Sequence, residues 1–61
     1  MSVFAAYVDL FDVNGRFLGQ DMLGYEATDK NDAKQQALAA LKRHRGSSKI
    51  VKIEPWKPYR A

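Results

Sequence analysis

Cysteine is absent from this chain, histidine occurs once, and no apolar run approaches the roughly 20 residues needed to cross a bilayer. Without cysteine there is no disulfide framework and no thiolate metal site. With His44 as the lone imidazole, the usual structural zinc sets are excluded as well. These are the staples that very small domains ordinarily use. At 61 residues the chain makes one domain. A chain of this size hides only about 60% of the surface that its unfolded form exposes. The opening "MSVFAAYVDLF" has no basic start and meets Asp9 too early for a signal peptide. The expectation is a soluble protein of the cytoplasm, with no cofactor, no metal and no membrane partner.

Catalytic patterns are missing too. His44 has no cysteine to activate, and Ser47 and Ser48 stand in a turn, where serine is ordinary. Asp9, Asp12 and Asp21 fall on an open hairpin with no second lobe to desolvate them, as general acid–base work requires. "NGRFLG" has glycines but not the spacing of a phosphate loop. No residue is assigned a catalytic role, and the expectation is a protein that is not an enzyme.

What is present reads as a fold. Residues 3–13 alternate, with Phe4, Ala6, Val8 and Leu10 on one side, which suits a strand with one buried face. Asn14-Gly15 is a strong hairpin signal, and residues 16–26 make the return strand, with Gly19 and Gly24 marking bulges or bends. A two-residue turn would set Asp21 beside Val8 on the buried side. A three-residue loop closed at Gly15 pairs Asp12 with Arg16 and brings Leu18 and Met22 to the buried face, and is preferred on that ground. Tyr7, Phe11, Phe17 and Tyr25 then share the opposite face. Asp29 caps a helix, Asp32 reaches back toward it, and Ala33, Ala37, Leu38 and Leu41 form its apolar stripe. Gly46 is the expected helix stop. "SKIVKIEP" is a short strand ended by Pro55. The fold class is α+β: a β-β-α-β domain over residues 1–55, a three-stranded antiparallel sheet with one helix on one face. Residues 56–61 form a short basic aromatic tail.

Charge is unevenly spread. Residues 1–41 hold three basic side chains against six acidic ones, and residues 42–61 hold seven against one. "LKRHRGSSK" can be read as the ordinary basic end of a helix. It can also be read as part of a patch of Arg43, Arg45, Lys49, Lys52, Lys57 and Arg60 that meets phosphates or an acidic protein surface. The four aromatic residues on the uncovered face would stack bases, anchor a protein partner, or simply pair across strands. Trp56 either folds back over the core or joins Lys57, Tyr59 and Arg60 in a contact arm.

The hairpin, then "YEATDKNDAKQQALA", a charged turn and "IVKIEP", resembles very small phage-encoded proteins. Tyr25 to Pro55 is similar to the T7-type phage inhibitor of bacterial RNA polymerase and to a small anti-CRISPR family directed at a type I complex. Ala27, Asp29, Ala33 and Ala37 match the strand-to-helix passage, and Ile50, Val51 and Ile53 the closing strand. The likeness covers about half the chain, and the basic tail departs from the acidic polymerase inhibitor. It implies a phage or mobile-element protein that occupies a surface of host machinery. The expected partner is a host nucleic-acid-handling protein complex, with direct DNA or RNA binding through the basic third as the alternative. The exposed sheet edge also invites pairing with a second copy.

Overall fold

A computed structural model describes residues 2–56; Met1 and residues 57–61, including Lys57, Tyr59 and Arg60 of the expected contact arm, lie outside the described residues. The elements are β1 (Ser2–Phe11), β2 (Phe17–Ala27), α1 (Lys30–Leu41) and β3 (Ser48–Pro55). The three strands form one sheet in the order β2-β1-β3, antiparallel on both sides of β1, and one helix packs on it. This is the expected α+β, β-β-α-β layout.

The hairpin tip is organised by Asp12. Its Oδ1 accepts the N–H groups of Asn14 (2.8 Å) and Arg16 (2.9 Å), while its own N–H donates to the Arg16 carbonyl at 2.8 Å. Gly15 closes the turn at φ +85°, a conformation that glycine adopts without steric cost. Asp12 therefore faces Arg16, as the three-residue loop requires. The register does not persist. A bulge between Leu10 and Phe11, beside Gly19 at φ +148°, shifts the pairing by one residue. From there on Val8 faces Asp21, Ala6 faces Leu23 and Phe4 faces Tyr25. The expected face assignment is corrected accordingly. Tyr25 is placed with Phe4 on the helix side, and Met22 crosses to the uncovered side, opposite Tyr7. Asp21 tolerates its place across from Val8 because β2 is an edge strand and the carboxylate stays exposed.

The core is small and made of small residues. Phe4, Ala6, Val8, Ala27, Ala33 and Ala37 are buried on the helix side, and Ile53 packs against the cluster of Phe4, Ala27 and Ala33. Asp29 caps the helix by accepting the Asp32 N–H at 2.8 Å, and Asp32 in turn accepts the Thr28 N–H at 3.0 Å. Leu38, expected in the apolar stripe, is 41% exposed, so contact with the sheet rests on the alanines.

Gly46 is not the helix stop. The helix ends at Leu41, with Lys42 in a right-handed capping conformation. Gly46 instead lies against the end of β1, where an added Cβ would fall 1.8 Å from the Phe11 carbonyl oxygen and 2.6 Å from the Asp12 carbonyl carbon. The same segment is bolted to Phe11 twice: the His44 Nε2–H donates to its carbonyl at 2.7 Å, and its N–H donates to the Ser47 carbonyl at 2.9 Å. Gly46→Ala should therefore cost about 2–3 kcal/mol or more, since the obstacle is backbone rather than a movable side chain. Gly24 has open space around it, so Gly24→Ala should be neutral or stabilise by about 0.5–1 kcal/mol. Urea unfolding of the two variants would check the contrast.

Candidate functional site

The uncovered face follows from the pairing. Across the sheet, Glu26, Val3 and Trp56 form one row. Gly24, Ala5 and Glu54 form the next, then Met22, Tyr7 and Lys52, and then Gln20, Asp9 and Lys49. Trp56 is held in this row by its N–H, which donates to the Val3 carbonyl at 2.9 Å. It lies beyond the last strand residue and is 45% exposed, so it flanks the uncovered face and does not close the core.

A groove of about 260 Å³ opens on this face. Ala5, only 1% exposed, and Gly24, which has no side chain, make its floor; Val3, Met22 and Trp56 wall it, and Glu26 and Tyr25 border it. Sequence reasoning missed Val3, Ala5, Met22, Gly24 and Glu26 as a group. The available signal was Gly24, since a glycine inside a strand also marks a place where something approaches the backbone closely.

The expected site residues separate into two ends. Trp56 borders the groove, while Phe11 and Phe17 lie near the hairpin tip. Phe11 is eight residues along β1 from Val3, roughly 26 Å at strand rise. Their rings meet edge to face at 5.7 Å and 62°, so this pair stabilises the hairpin while leaving Phe17 60% exposed. Tyr7 stands between the two ends, with the Lys52 ammonium 5.1 Å above its ring.

The expected basic patch is also divided. Arg43 and Arg45 are exposed in the segment joining α1 to β3, at the Phe11 end. Lys49 faces Asp9 across the strands, and Lys52 pairs with Glu54 at 3.0 Å. Both lysines thus stand beside carboxylates on the uncovered face. The hydrogen bond from the Lys52 ammonium to Glu54, reinforced by that carboxylate's charge, holds Lys52 above its ordinary value of 10.5. A raised lysine contributes fully below its ordinary pKa and loses its contribution as pH climbs through the raised one. The pair is therefore intact at neutral pH.

Both sheet edges are blunted. The Trp56-to-Val3 bond turns the N–H and C=O groups of Val3, Ala5 and Tyr7 toward β3, so the outward groups of β2 belong to Glu26, Gly24 and Met22. Two of these are occupied: the Glu26 carbonyl accepts the Gln36 amide at 2.8 Å, and the Met22 N–H donates to Asp21 at 2.9 Å. On β3 the register breaks between Lys52 and Ile50, and Pro55, which has no N–H, takes an outward position. These are the devices by which sheets resist edge pairing.

Among the described residues no three His, Cys, Asp or Glu side chains gather as a metal set, and no helix is long and apolar enough to cross a membrane. Comparison with family models, with characterised proteins and with solved structures gave no match.

Glu54→Gln should return Lys52 to the ordinary lysine range, lowering its titration midpoint in a side-chain NMR pH series.

Proposed function

We propose that this chain is a small non-enzymatic binding protein of phage or mobile-element type, which docks through its uncovered sheet face onto a host nucleic-acid-handling complex and inhibits or redirects it. The groove walled by Val3, Met22 and Trp56 carries this reading. A face with a concave apolar centre and exposed aromatic flanks is built as protein interfaces are, around a few anchors in a desolvated pocket. The blunted edges support docking by the face over pairing with a second copy along an edge. The likeness of Tyr25–Pro55 to small phage inhibitors of RNA polymerase and CRISPR effectors supports the class of partner.

Direct binding of DNA or RNA is the second reading, and exposed Arg43 and Arg45 favour it. The carboxylates beside Lys49 and Lys52 weigh against it, because a phosphate chain would have to displace them.

Immobilised protein should retain one defined host complex, an RNA polymerase or a CRISPR effector, from bacterial lysate. Met22→Asp, which sets a charge in the groove wall, should weaken that capture at least tenfold, as loss of an interface anchor does. Titration against a labelled 20-mer duplex and single strand at 50 and 200 mM salt should show little binding. Micromolar affinity that collapses at the higher salt would overturn the first reading in favour of the second.

A further inference from the structure

We infer that the groove at Ala5 and Gly24 receives an arginine side chain presented by the partner protein. This rests on the docking face proposed above and names the chemistry that the face accepts. The groove has three parts. Its floor is backbone and a methyl group, matching a methylene stem that needs apolar cover along its length. One wall is the exposed indole of Trp56, the ring type that best attracts a cation over its face. At the border stands Glu26, which forms no ion pair among the described residues.

The other carboxylates of this face are already engaged. Glu54 holds Lys52 at 3.0 Å, Lys52 lies over Tyr7, and Gln20 donates to Asp9 at 3.2 Å. Glu26 is thus the carboxylate at the groove left for an incoming cation. A purely aliphatic side chain would fill the floor and leave Glu26 and the indole face without a counterpart. A lysine would satisfy the charge, but its compact ammonium does not stack on a ring as a planar guanidinium does.

Trp56 is the chain's single tryptophan, so its fluorescence reports the groove directly. Full-length protein would be titrated with acetyl-Gly-Arg-Gly-amide and with the same peptide carrying leucine in place of arginine. The arginine peptide should give a saturable change, with a dissociation constant on the order of millimolar, and the leucine peptide at least fivefold weaker binding. Glu26→Gln should weaken the arginine peptide at least fivefold. Gly24→Val should abolish its binding, with thermal unfolding confirming an intact fold, because an added Cβ meets nothing within 4 Å. Equal or tighter leucine binding, or an arginine response that survives both substitutions, would overturn the inference. So would a response that appears only when Lys57 and Arg60 are replaced by alanine, since the groove would then belong to the chain's own tail. Lysate capture separates this from the docking reading. A host complex lost with Met22→Asp but retained by Glu26→Gln and Gly24→Val would keep the docking face and reject the arginine.

Discussion

Close approach between the helical layer and the sheet is the constraint on which the rest of this structure depends. Ala6, Ala27, Ala33 and Ala37 are fully buried, and among the described residues Val8 is the only larger side chain withdrawn as completely. Alanine loses no rotamer freedom on burial, so such a contact costs little to order, but it also removes little apolar area per residue. The helix has a second shortfall, which is length. Twelve helical residues span about 18 Å, against about 33 Å for the ten residues of β1. The segment after the helix must hold the remaining stretch, and it does so through the Phe11 backbone, with His44 donating, Ser47 accepting and Gly46 lying where no side chain fits. The alanines and Gly46 meet the same demand at opposite ends of one layer.

A single helical layer leaves the other side of the sheet without cover. Val3, Met22, Phe17 and Trp56 are there between 36% and 60% exposed, although the core that should stabilise the chain is poor in large side chains. Scattered exposed apolar residues need no explanation, whereas apolar residues that wall a common groove do. The surface features that resist association are placed on the edges instead. Asp21 and Gln36 occupy outward groups of β2, and β3 has a bulge and Pro55. Protection of the edges beside an open face is the pattern expected of a sheet that meets its partner broadside.

The elements and their order were legible because each has a local cause: alternation in β1, the Asn14-Gly15 turn, the Asp29 cap, the β-branched run of β3. The three-residue loop was legible too, through Asp12 and Gly15. What escaped was the compensation between two local irregularities. A bulge near Gly19 undoes the register set by the turn, and a one-residue slip exchanges the faces of every side chain beyond it, so Tyr25 and Met22 changed places. Gly46 misled for a related reason. A glycine shortly after a helical pattern reads as a cap, but the backbone it touches, at Phe11 and Asp12, is 35 and 34 residues away in sequence, and no local pattern reveals such a contact. The groove was hidden with the register, since Val3, Ala5, Met22 and Gly24 converge only once the strands are aligned.

The same alignment changes the meaning of the basic final third. As a list, Arg43, Arg45, Lys49 and Lys52 form one cationic cluster; in space, the two lysines face Asp9 and Glu54, and the arginines stand past the far end of the sheet. The uncovered face is consequently polarised along its strands, with Glu26 beside the groove at the Trp56 end and cations beyond Phe11. A phosphate chain offers one sign of charge throughout and would meet repulsion at the groove. A protein surface can present a cation at one end and carboxylates at the other, and only one of its two orientations along the strands would satisfy both. On the docking reading proposed above, charge on this face would act mainly on orientation, with the apolar groove supplying the hold.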